Sequence, residues 1–157
     1  MRHKINFLGL FLIVMCCTTQ GYSQQAFTEL TEFAGIVHNH SGFMYGAGVA
    51  CGDFNDDGYL DLYIPTARGQ ANRLYLNDGD LTFTESASSA GVGDSDSEGL
   101  GAVCGDVDND GDLDLYVVNY FDANSLFLNN GDGTFSAASA SAGVDDDGPG
   151  TSASLLH

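Results

Sequence analysis

Two stretches of the chain place oxygen-bearing side chains at alternate positions and then a glycine. Asp53-x-Asn55-x-Asp57-Gly58-x-x-Asp61 and Asp106-x-Asp108-x-Asp110-Gly111-x-x-Asp114 follow one pattern, D-x-[DN]-x-D-G-x-x-D. Alternate residues of a tight loop can point at one centre, and the glycine permits the bend between them. The ligand candidates are Asp53, Asn55, Asp57 and Asp61 with the carbonyl of Tyr59, then Asp106, Asp108, Asp110 and Asp114 with the carbonyl of Asp112. Hard, largely anionic oxygen donors suit Ca²⁺, which takes 6–8 oxygens at about 2.3–2.6 Å; Mg²⁺ retains waters and seldom uses an all-protein cage. Two Ca²⁺ sites are therefore expected, against the plainer alternative of two acidic turns without metal. An EF-hand is the nearest rival, but its twelfth loop position needs Glu, where this chain has Ile64 and Val117. The bidentate role then falls to Asp61 and Asp114.

Other reactive side chains have simpler readings. Cys51 and Cys104 occupy equivalent positions and are expected as small, buried, free thiols, because equivalent points on neighbouring repeats should lie beyond disulfide reach. His38 and His40 read as a polar connecting loop rather than a transition-metal pair, and Asn39-His40-Ser41 is a glycosylation sequon by pattern. Tyr63, Tyr75, Tyr116 and Phe127 recur and are expected in packing between repeats, while Tyr45, Tyr120 and Phe121 lie outside the recurring blocks and offer a recognition surface. Arg68 and Arg73 are expected to pair locally with acids. No nucleophile–base pairing, phosphate loop or second carboxylate pair has motif support, so the chain reads as non-enzymatic.

The elements that position the two loops emerge from self-comparison. Ala50 to Tyr63 lies over Val103 to Tyr116 at an offset of 53 residues, and Leu74 to Asp80 lies over Leu126 to Asp132 at 52. A third block occurs three times: Phe27…Ala34-Gly35-Ile36, Phe83…Ala90-Gly91-Val92 and Phe135…Ala142-Gly143-Val144. Leu60 to Ile64 and Leu113 to Val117 alternate in strand period. Arg73 to Leu76 and Ser125 to Leu128 are short apolar runs, each followed by an Asx-Gly turn and a second run, which is a hairpin signal. A leading strand, Gly46 to Cys51 or Gly99 to Cys104, precedes each acidic loop. Four short strands per repeat predict an all-β fold: a partial β-propeller of two four-stranded blades, with units at about 37–92 and 93–144 and a stub of a third from Asp145. A closed propeller needs ~4–8 blades. The sequence is therefore expected to be the N-terminal piece of a larger protein, its ring completed by missing blades or by self-association.

These residues carry a family resemblance. Gly52 to Tyr63 resembles the FG-GAP/VCBS repeat of integrin-α-type propellers. Arg73-Leu74-Tyr75-Leu76-Asn77, Gly131 to Phe135 and the Phe…Ala-Gly-Val blocks are similar to its secreted cartilage-acidic and ASPIC/UnbV subgroup. The resemblance covers about residues 27 to 154 and implies a calcium-binding, usually seven-bladed extracellular propeller with the loop residues above as ligands. The C-terminal module of that subgroup is absent from this sequence.

Charge and the N-terminus place such a module outside the cell. Residues 1–23 read as a signal peptide, with a basic Met1 to Lys4 region, a short apolar core and a cut before Gln24. The apolar run is shorter than the ~20 residues of a membrane span, and Cys16 and Cys17 lack the small preceding residue of a lipoprotein signal, so secretion is favoured over an outer-surface lipoprotein. The 157 residues hold 22 Asp and Glu against 4 Lys and Arg, for a formal charge of −18. Two of those basic residues are in the leader. Nucleic acid is excluded as a partner, because phosphate binding needs a basic footprint. The function expected is an extracellular binding or adhesion scaffold whose partner is a protein or glycan. The alternatives are the propeller part of a secreted hydrolase or lyase, and a non-functional fragment.

Overall fold

The computed structural model describes residues 28–37 and 48–155. The expected signal peptide, His38, His40, the Asn39 sequon and Tyr45 lie outside the described residues. The chain is all-β, in two four-stranded antiparallel sheets. The first runs β1 (Ala50–Gly52), β2 (Asp61–Ile64), β3 (Arg73–Asn77) and β4 (Phe83–Glu85), each strand pairing with the next. The second repeats this order as β5 (Gly99–Gly105), β6 (Asp114–Asn119), β7 (Ser125–Asn129) and β8 (Phe135–Ala137). Register repeats as well: Cys51 faces Leu62 as Cys104 faces Leu115, and Asn77 faces Phe83 as Asn129 faces Phe135. Each sheet is one propeller blade, and the acidic loops join the first strand of each blade to the second. Among the described residues no helix is long and apolar enough to cross a membrane.

The recurring Ala-Gly-Val block forms a helical turn after each blade, α1 (Ala87–Ala90) and α2 (Ser139–Ala142). Its copy ahead of blade 1 turns at Thr31–Gly35 and leans on the outer strand, where Phe83 N–H donates to Ala34 O at 2.9 Å. Two cores result. Ala34 and Ile36 pack with Leu62, Ile64 and Tyr75 on one face of blade 1. Ala50, Tyr63, Leu74 and Val92 on its other face pack with Leu115, Val117 and Phe127 of blade 2. Strand β2 is therefore buried along its whole length, which removes the alternation of exposed and buried positions that its sequence suggests.

The blades meet closely at the inner strands. Gly48 N–H donates to Leu100 O at 2.8 Å, and Gly99 N–H donates to Thr66 O at 3.0 Å. A Cβ on Gly52 would meet Leu113 Cδ1 at 2.9 Å and Cys104 Sγ at 3.2 Å, so the small residue is what admits blade 2 there. The two thiols are free, as expected, but neither is buried: Cys51 is exposed and Cys104 half-buried. Ala50 and Gly52 turn into the structure and the intervening Cys51 points the other way, as the pleat demands. Cys104 Sγ reaches the Cys51 carbonyl at 3.3 Å.

The tail follows the path of a third leading strand. Tyr120 bridges to Pro149. Gly150 lies against Val118 as Gly99 lies against Pro65, and Leu155 covers Gly105 as Cys104 covers Gly52.

Candidate metal centre

Each acidic loop is held by its own carboxylates. Asp53 accepts the N–H of Asp57 at 3.1 Å and of Gly58 at 2.8 Å, and Asp57 accepts that of Tyr59 at 2.9 Å. Loop 2 repeats the set: Asp106 accepts from Asp110 and Gly111, both at 3.2 Å, and Asp110 accepts from Asp112 at 3.0 Å. These Asx-type bonds wind the chain tightly. The bend requires left-handed backbone at matching positions, φ 56° at Asp56 and 63° at Asn109, then 89° at Gly58 and 102° at Gly111. Asp and Asn tolerate that region and Gly enters it freely.

The last acid of each motif sits differently. Asp61 and Asp114 are 0% and 1% exposed, at the start of β2 and β6. Asp61 accepts the Phe54 N–H at 2.8 Å on one oxygen and the Asn77 N–H at 2.8 Å on the other. Asp114 accepts the Val107 and Asn129 N–H groups at 2.8 and 2.9 Å in the same way. Each carboxylate thus fastens the loop entrance to the end of the third strand. Burial pushes the Asp61 carboxyl up; the two N–H donors oppose this, and Asp57 and Asp53 add to it.

Loop 2 brings carboxylates together. Oxygens of Asp106, Asp108 and Asp114 lie within 4.8 Å of one another. Desolvation raises the Asp108 carboxyl, reinforced by Asp110 and Asp114. Asp112 is raised too, by desolvation first and then by Asp110, Asp56, Asp106 and Asp114, so its side chain joins the same negative field. Its carboxylate also abuts the hairpin turn, where a Cβ on Gly131 would meet Asp112 Oδ2 at 2.7 Å. In loop 1 the place of Asp108 is taken by Asn55, whose amide donates to Asp57 at 2.9 Å. The Tyr59 ring lies over Gly79, the counterpart of Gly131. A compact set of anionic oxygens on a preformed loop fits a hard divalent cation.

Sequence reasoning passed over two asparagines. The Asn77 side chain donates to Leu60 O at 3.1 Å and accepts from Gly79 N–H at 3.0 Å. Asn129 donates to Leu113 O at 3.2 Å, accepts from Gly131 N–H at 3.1 Å, and also reaches Phe54 O in loop 1 at 2.9 Å. Their signal was the repeated Leu-x-Leu-Asn block, which reads as a strand end.

Residues 53–117 and 106–155 match the FG-GAP-like repeat family, so both acidic loops, blade 2 and all of blade 1 except β1 fall within the matched region. The chain belongs to the FG-GAP-like repeat family. Among curated relatives, Cartilage acidic protein 1 of Xenopus tropicalis is 35% identical over 83 residues, 53% of this chain and 13% of the relative. Cartilage acidic protein 1 of Homo sapiens is 33% identical over 103 residues, 66% of this chain and 15% of the relative. The FG-GAP-like chain thus spans about one seventh of the length of the relatives it matches.

Proposed function

We propose that this chain is a calcium-binding module of a secreted β-propeller that serves as an extracellular scaffold for a protein or glycan partner. The observation that carries the reading is the convergence of Asp106, Asp108 and Asp114 on a loop whose backbone is already closed. Bound Ca²⁺ supplies positive charge that offsets carboxylate repulsion and ties the loop to the strands behind it. Asp106, Asp108, Asp110 and Asp114 with the Asp112 carbonyl form one ligand set. Asp53, Asn55, Asp57 and Asp61 with the Tyr59 carbonyl form the other. The buried Asp61 and Asp114 keep capacity for a cation, since each carboxylate oxygen that accepts one N–H has a second lone pair. The scaffold role rests on the family, on the strongly acidic surface, and on the lack of any motif for catalysis.

Calcium titration by calorimetry tests the metal reading. Two sites are expected, with loop 2 the tighter because Asp108 adds a charge that Asn55 lacks. Magnesium should bind each more weakly. A chain that takes up no calcium refutes the proposal.

A further inference from the structure

The two acidic loops are joined by a run of hydrogen bonds, linked through Phe54 and Asn129, that crosses from one blade to the other and is buried except at its Val107 end. It starts at Asp61, whose carboxylate accepts the Phe54 N–H at 2.8 Å. The carbonyl of the same Phe54 accepts the Asn129 side-chain amide at 2.9 Å. The backbone N–H of Asn129 donates to one Asp114 oxygen at 2.9 Å, and the other Asp114 oxygen accepts the Val107 N–H at 2.8 Å. Phe54 is the second residue of loop 1 and Val107 the second of loop 2. Phe54, Asp61, Asp114 and Asn129 are all buried. Phe54 is fixed further by an edge-to-face contact with Phe135 of blade 2, ring centres 6.2 Å apart. Loop 1 is therefore seated on blade 2 as well as on its own blade.

We propose that the two loops bind their cations cooperatively and that Asn129 carries the coupling. This inference rests on the calcium-binding reading above. A cation drawn to Asp61 fixes that carboxylate and, through it, the Phe54 N–H. The link to the Phe54 carbonyl, on the next peptide plane, passes through the Phe54 Cα, which burial and the Phe135 contact hold in place. The Phe54 carbonyl then holds the Asn129 amide, whose other bond to Leu113 O and backbone bond to Asp114 set the second site. A loop that loads first thus removes part of the ordering cost of the other, which is positive coupling. Direct repulsion between the two cations works against it and is weakened by solvent and by intervening carboxylates. Asn129 is a positioning residue here: its side chain acts on the sites through Phe54 and the Asp114 strand. Its counterpart Asn77 makes the equivalent bond within its own blade, to Leu60 O.

The test is a cycle of calcium titrations by calorimetry on the full chain. Asp57→Ala disables loop 1, and Asn129→Ala removes the bridging amide. With Asn129 in place, disabling loop 1 should weaken calcium binding at loop 2 by about fivefold. With Asn129→Ala, the same change should alter loop 2 by less than about twofold. An unchanged loop 2 in the first comparison, or an equal drop in both, overturns the coupling while leaving calcium binding intact. No calcium uptake by the unsubstituted chain overturns the calcium reading and the coupling with it. A second measurement does not need Asn129 replaced. In Asp57→Ala, calcium loading of loop 2 should slow hydrogen exchange of the Phe54 amide, which lies in the disabled loop. Exchange at Phe54 that ignores calcium contradicts the proposal.

Discussion

Single residues in the acidic motifs have separable roles. Asp53 and Asp106 close their loops, whereas Asp61 and Asp114 fasten loops to strands. Removing Asp61 strands the buried Phe54 N–H and the part-buried Asn77 N–H, at about 1–3 kcal/mol for a fully buried group and less for the second. Asp61→Ala should therefore lower stability by about 2–5 kcal/mol in urea melts even in excess EDTA. A loss that appears only with calcium present would make Asp61 a ligand and nothing more. Asp108 hydrogen-bonds only to its neighbour Asp110 among the described residues and fastens no strand, so Asp108→Asn should weaken calcium at loop 2 by about tenfold or less, towards loop 1. Calorimetry that finds the tighter site unchanged removes Asp108 from the ligand set. The spacing of acids made both loops legible in the sequence. The fastening role was hidden because a carboxylate that binds metal and one that accepts N–H look alike in sequence. Its partners Asn77 and Asn129 also lie 16 and 15 residues away along the chain.

At the scale of strands and connectors, tyrosine hydroxyls clip each blade to the turn that follows it. Tyr63 OH donates to Val92 O at 2.9 Å and accepts from the Asn72 amide at 2.9 Å, fully buried. Tyr116 OH donates to Val144 O at 3.1 Å in a half-buried setting. Tyr63→Phe leaves the Val92 carbonyl and the Asn72 amide short of a partner and should cost about 1–3 kcal/mol, more than Tyr116→Phe. Equal effects in paired denaturant melts would deny that burial sets the difference. Between blades, Arg68 binds Asp122 and the Asp96 carbonyl, while Arg73 approaches Glu85 at 3.8 Å within blade 1. Arg73 pairs locally, as expected, whereas the partner of Arg68 is 54 residues away in the next blade, because blade packing brings the two loops together. Exposed pairs of this kind contribute little, so Arg68→Ala should move Tm by no more than about 2 °C. The hairpins were legible from their Asx-Gly turns. The hydroxyl clips were not, because Tyr63 and Val92 are 29 residues apart and meet only once the blade has folded. The outward face of Cys51 was missed for a related reason: two faces of one strand meet different neighbours, and composition does not say which is covered.

Across the whole molecule, repetition explains both what is packed and what is open. Residues 55–60 of loop 1 are exposed, but Phe54 at its entrance is 2% exposed because blade 2 supplies Asn129 and Phe135 over it. Its counterpart in loop 2, Val107, is 40% exposed. Residues 149–155 run beside blade 2, with Pro149 bridged to Tyr120 and Leu155 against Gly105, and leave Val107 open. Offsets of 52 and 53 residues made the repeat and the blade architecture legible from sequence alone. Which residues bridge adjacent blades was not, because those contacts join different parts of the repeat. Both acidic loops open on one shared field, since Asp56 of loop 1 contributes to the raised carboxyl of Asp112 in loop 2. Repulsion in that field opposes folding, and a bound divalent cation relieves it. Calcium at about 100 times its Kd adds roughly 2.7 kcal/mol per site to the folded state. Thermal unfolding followed in millimolar calcium and in excess EDTA is the most direct test. The account predicts a transition about 10 °C higher with calcium, returning to the EDTA value when chelator is added. Two superimposed unfolding curves would contradict it.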